Sequence, residues 1–164
     1  MTVEITDPTT DSHPFARTEQ LFALMEAKRA LLADLRTLAV MQGEAIDKQD
    51  ISELLTLLAR KQVLMDRLMT LQQHLVSYQG ENPELRIWSS PDRRKACQEA
   101  KRTCDQWIQE ILVMEQRAAE EMTAQRDAVA GQLLQASDSM RLSRAYGFEG
   151  TASEDEEGGL SLDG

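Results

Sequence analysis

The sequence predicts an all-α protein: an antiparallel helical hairpin plus a long third helix, joined as a three-helix bundle or coiled coil. Three observations predict it. Leu, Ala, Glu, Gln, Arg and Met dominate the 164 residues, aromatics make up only 4%, and there are 8 Gly and 4 Pro; this is the composition of long helices. Apolar residues recur at helical spacing, most clearly between Asp50 and Tyr78 around LLARKQVLMDRL. No Asn-Gly or Asp-Gly hairpin turn interrupts the pattern.

The first helix is expected over about 16–47, after an arm (1–14) whose Pro, Thr and acidic residues predict disorder. The start is expected between Phe15 and Thr18: Thr18, followed by Glu19 and Gln20, reads as a start signal, while Pro14 suits an earlier first turn. The apolar positions fit heptads Leu21, Lys28, Leu35, Gln42 and Leu24, Leu31, Leu38, Ala45, with Met25 and Leu32 flanking. Asp50-Ile51-Ser52-Glu53 has the form of a capping box and opens a second helix over about 51–79. A connection of about three residues makes the two helices antiparallel neighbours.

In the second helix, one stripe reads Ile51, Leu54, Leu58, Met65, Leu68, Leu75 and Val76. A second reads Leu57, Leu64, Leu71 and Tyr78. Together they cover more than half of the circumference, so the helix is expected to have partners on two sides. Lys28 and Lys61 fall inside apolar sectors, where the stem is buried and the ammonium reaches the edge. An ion pair between Lys61 and Asp34 is expected across the hairpin.

GENPELRIWSS, from Gly80 to Ser90, breaks the helical period and reads as a crossover, with Trp88 plugging the end of the core. Ser90-Pro91-Asp92 supplies a cap, a first-turn Pro and a first-turn acid for the third helix, expected over about 91–146. Its stripe runs Cys97, Ala100, Cys104, Trp107, Ile111, Met114, Ala118, and then on to Met140. At ~70 Å by the helical rise, this helix outreaches a hairpin of ~45–50 Å. The expected covered part is Cys97 to about Ala118. The remainder carries Met122, Val129, Leu133, Leu134 and Met140, an apolar stripe left for a protein partner or for a homodimer seam.

Charge and motifs exclude several classes. The net charge is −10, of which six acids and no base lie in the tail from Glu149 to Gly164, expected to be disordered. Nucleic acid is not an expected partner, because phosphate binding needs clustered Lys and Arg. No apolar run reaches the ~20 residues of a membrane span, and no secretory signal is expected at the N-terminus. No nucleotide, metal or catalytic-triad motif occurs, so neither a cofactor nor an enzymatic activity is expected. His13 reads as a surface residue. Cys97 and Cys104 lie on the packed stripe, too far apart on one helix for a disulfide, and read as reduced thiols.

A hairpin whose two arms read LMEAKRALLADL and LLARKQVLMDRL, followed by a long helix ending in RLSRAYG at Arg141–Gly147, resembles the FlgN-type flagellar export chaperones. The resemblance covers about Leu21 to Gly147. It implies a cytoplasmic, non-enzymatic protein that holds hook–filament junction proteins and delivers them to the flagellar type III export gate. It also implies that the C-terminal helix engages cargo, here through Met122, Val129, Leu133 and Met140, and that Tyr146 helps in docking at the gate. The crossover GENPELRIWSS and the acidic tail depart from the family's pattern.

Overall fold

The computed structural model describes residues 13–151, with side chains described through residue 146. The expected arm and tail therefore lie, apart from a few residues, outside the described part. Three α-helices appear, α1 (Ala16–Asp47), α2 (Ile51–Gln79) and α3 (Pro91–Thr151), with one 3-10 turn at Pro83–Leu85. The all-α class is thus as the periodicity predicts. By compactness the chain divides at Ala118 into a first unit and a second that begins at Ala119.

The helix boundaries have local causes. Asp50 accepts a hydrogen bond from the Glu53 amide at 3.0 Å, which satisfies one of the first unpaired donors of α2. Ser90 does the same for α3, accepting from the Arg93 amide at 3.1 Å. Between α1 and α2 the chain reverses through Gln49, whose φ of 55° is left-handed. That conformation costs a residue with a Cβ ~1 kcal/mol, and the Asp50 amide bonding to the Ala45 carbonyl at 2.9 Å helps to hold it.

One cap assignment and one boundary change. Thr18 is not a cap; Phe15 occupies the N-cap position without a side-chain bond. Thr18 is instead buried, and its hydroxyl donates to the Ile87 carbonyl at 2.7 Å, tying α1 to the crossover. α3 runs on to Thr151 rather than stopping at Tyr146. Gly147 lowers helix propensity by ~1 kcal/mol, but no proline follows it in the sequence, and among the described residues no glycine is left-handed.

The core of the first unit is a stack of three layers. Near the hairpin turn, Leu38, Ala45, Ile46, Leu54, Leu57 and Ala118 pack together. In the middle, Leu32 and Leu35 enclose Cys104, with Leu64, Leu68, Trp107 and Ile111 against them. At the open end, Leu21, Leu75, Tyr78 and Cys97 pack with Phe22 and Trp88, so Trp88 does plug the core. From Cys97 to Ala118, α3 therefore travels from the open end toward the turn, antiparallel to α2.

The layers refine the heptads. Leu38 and Ala45 of the expected second seam are buried, but Leu32 is almost wholly enclosed while Leu31 is only half-buried, so a further seam Thr18, Met25, Leu32, Ala39, Ile46 joins the core beside it. In α2 the inward seam is Leu54, Leu57, Lys61, Leu64, Leu68, Leu71, Leu75, Tyr78, a regular 3-4 alternation. Ile51, Met65 and Val76, expected inside, are exposed together with Leu55 and Met69. The apolar sector of α2 is wider than the face its neighbours cover, so its outer edge stays in solvent.

Lys61 occupies a seam position, and its partner is Glu115 of α3 at 2.5 Å, not Asp34. The inward seam turns Lys61 into the groove that α3 fills. Arg36 joins Glu110 at 2.6 Å and Arg93 joins Glu19 at 3.2 Å, so three ion pairs fasten α3 to the hairpin along its length. The crossover is tied by Glu81, whose carboxylate accepts from Arg17 and from Arg86.

The Arg17 hydrogen bond holds the Glu81 carboxyl below the usual glutamate range, against a burial effect that raises it. A lowered folded-state pKa contributes stability above the ordinary value and loses it as pH falls through the lowered one. Glu81→Gln is therefore expected to lower the unfolding midpoint at neutral pH. The midpoints of variant and parent should converge in acid; a constant gap across the acid range would contradict this role.

Candidate partner-binding surface

The last buried residue of α3 among those described is Ala118. Up to that point its inward positions alternate by three and four: Cys97, Ala100, Cys104, Trp107, Ile111, Met114, Ala118. The next two positions of that alternation are Glu121 and Gln125, which are polar and half-buried. The apolar stripe instead resumes at Met122, four residues beyond Ala118. A repeated step of four is a stutter; it rotates the apolar face by about 40° about the helix axis.

Within the second unit every side chain from Arg126 to Tyr146 is exposed. Val129 is 54% exposed, Leu133 66% and Met140 59%, and Met122 is exposed as well. Helical geometry brings Met122, Val129, Leu133 and Met140 onto one face within about 40° of each other. Leu134 and Tyr146, both exposed, do not share that face. They stand about 120° from Met122, on opposite flanks. Of the six expected partner-binding residues, four form one stripe and two sit beside it.

Fully burying a Val, Leu or Met side chain is worth about 1.5–3 kcal/mol. The open stripe thus holds unspent hydrophobic free energy, available to whatever covers it. The two methionines fit a contact that must adapt, since their unbranched side chains repack at little cost. Gly131 lies on the opposite face with nothing near the position of a Cβ. It serves no close approach and only loosens the helix locally.

Other surfaces offer less. A cleft of about 570 Å³ opens at the end of the hairpin, beside Tyr78, Trp88 and Cys97. Most of its charged rim is paired: Arg86 with Glu81, Arg94 with Glu84, Lys101 with Asp105. Burial pushes the Cys97 and Cys104 thiols above their ordinary pKa, so both stay protonated and poorly nucleophilic. No group of acids, histidines and cysteines among the described residues has the geometry to hold a metal ion. No described helix is long and apolar enough to cross a membrane.

Compared with known protein families, curated proteins and solved structures, the chain matches none.

The exposed outer face of α2 is a surface that sequence reasoning missed. Its exposed positions Ile51, Leu55, Met65, Met69 and Val76 follow their own 3-4 spacing, with half-buried Leu58 and the glutamines Gln62 and Gln72 between them. That second spacing was readable. Only the structure tells which of two interleaved stripes faces the hairpin.

Proposed function

We propose that this chain is a cytoplasmic, non-enzymatic export chaperone of the FlgN type. It holds hook–filament junction proteins through residues 119–146 and delivers them to the flagellar type III export gate. One observation carries the reading: the apolar stripe Met122, Val129, Leu133, Met140 is continuous, helical and uncovered. The sequence resemblance supplies the client class; the stripe supplies a physical means of holding it.

The mechanism is helix-in-groove recognition. A client's terminal segment, unfolded before export, folds as an amphipathic helix along the stripe and buries its own apolar face there. Ordering the segment consumes much of the gain, which keeps the complex releasable. Tyr146, exposed on the flank rather than on the stripe, stays accessible for docking at the gate while client is held.

Val129→Asp with Leu133→Asp tests this. Burying two carboxylates against a client should weaken its retention at least ~100-fold, since each side chain forfeits ~1.5–3 kcal/mol. Far-UV circular dichroism should be unchanged, because both positions face solvent. Retention of a hook–filament junction protein by the double variant at parental strength would reject the assignment.

A further inference from the structure

The described residues begin at His13, and Pro14 already lines a groove. It opens between the start of α1 and the crossover, holds about 360 Å³, and has Leu21, Tyr78, Leu85 and Ile87 among its walls. Leu85 is 78% exposed, the highest figure among the large apolar side chains described, and Ile87 is exposed as well. They alternate with Arg86 and Trp88, which are half-buried. The crossover is extended at Arg86 (φ −70°, ψ 135°), and the Thr18 hydroxyl pins it to α1 at Ile87. The amides of Ile87 and Trp88 donate to no described residue. The result is a fixed, extended edge with apolar side chains and open donors, the kind of edge to which an extended segment adds.

Residues 1–12 fit that edge in pattern, charge and reach. MTVEIT alternates strictly, with Met1, Val3 and Ile5 apolar and Thr2, Glu4 and Thr6 polar, the period of a half-buried extended segment. Such a segment sets Met1, Val3 and Ile5 on one side. The arm carries Glu4, Asp7 and Asp11, with no Lys or Arg through Ser12. The charged lining of the groove is Arg17, Arg86 and Glu81, a net +1, since one carboxylate serves both guanidiniums. Asp7-Pro8 favours a turn that sends the chain back. The residues between Ile5 and Pro14 span up to ~30 Å when extended, several times the ~7 Å edge of a cube of the groove's volume. The arm therefore reaches Leu85 and Ile87 with slack.

We propose that residues 1–6 lie extended along the crossover, with Val3 and Ile5 over Leu85 and Ile87 and the acids of the arm near Arg17 and Arg86. The arm is too polar to bury a core of its own, and docking needs none, because the groove supplies the apolar wall. The tether holds the segment at a millimolar effective concentration, so a contact of sub-millimolar affinity seats it most of the time. The arm then guards the apolar edge of the crossover, and any outside partner of this groove must first displace it. The placement is independent of the chaperone assignment.

The test uses the full chain, isotopically labelled for NMR. Amide order parameters of Val3, Glu4 and Ile5 should exceed ~0.6, below which a backbone counts as mobile. Val3→Asp with Ile5→Asp should drop the Glu4 value below that limit and shift the methyl resonances of Leu85 and Ile87. The methyls of the buried Leu32 and Leu57 should stay in place. Ile87→Asp, at a site already 63% exposed, should release the arm equally without disturbing those core methyls. Order parameters below ~0.6 in the parent chain would overturn the proposal, and so would Leu85 and Ile87 methyls that ignore the arm substitutions. If those two methyls move with protein concentration instead, a second copy covers the groove and the arm does not. None of these readings uses client or residues 119–146, so failure here is separate from failure of the chaperone assignment.

Discussion

Leu57→Ala should lower the unfolding free energy by about 3 kcal/mol, whereas Leu133→Ala should change it by less than ~0.5 kcal/mol. The two substitutions remove the same atoms. Leu57 is 1% exposed and sits in the layer with Leu38, Ala45, Ile46, Leu54 and Ala118. Truncating it loses the transfer free energy of its side chain and leaves a cavity beneath α3 that neighbouring helices fill only in part. Leu133 is 66% exposed, so it has little burial to lose, and alanine is the better helix former by a few tenths of a kcal/mol. Urea unfolding followed by circular dichroism reads both changes. A loss above ~1 kcal/mol for Leu133→Ala would mean that the stripe is structural, and its use as a client surface would lose its basis.

That contrast is also where sequence and structure inform each other. The three helices were legible because capping, spacing and punctuation agree: Asp50 and Ser90 each accept the hydrogen bond that their positions predict. The end of burial near Ala118 was legible from helix length together with where the bulky residues of α3 lie. Finer choices were not. Leu31 and Leu32 are the same residue one step apart, and only the tilt of α1 against its neighbours decides which is enclosed. Lys61 found Glu115 rather than Asp34 because a seam position faces both neighbours, and sequence separation does not rank them. Thr18 resembled a cap by residue type, yet its hydroxyl serves a carbonyl 69 residues away. Of the candidate site, the spacing Met122, Val129, Leu133, Met140 could be read directly. That Leu134 lies off this face follows from the same 100° step; counting it with the stripe took nearness in sequence for nearness on the surface.

A chain ended after Glu121 should keep its thermal unfolding midpoint to within ~3 °C while retention of client falls to background. The buried residues described in the structure lie at or before Ala118, as do the ion pairs Arg36–Glu110, Lys61–Glu115 and Arg93–Glu19. Removing the residues beyond Glu121 therefore exposes no layer of the core. For a domain of ~100 residues, 1 kcal/mol shifts the midpoint by about 4–8 °C, so a change within ~3 °C corresponds to less than one lost contact of ordinary strength. The same cut removes Met122, Val129, Leu133, Met140 and Tyr146 together. Stability and binding should thus separate at one peptide bond. If the shortened chain instead melts more than ~10 °C lower, the second unit is holding the first together, and its apolar stripe is then committed to the fold rather than free for a client.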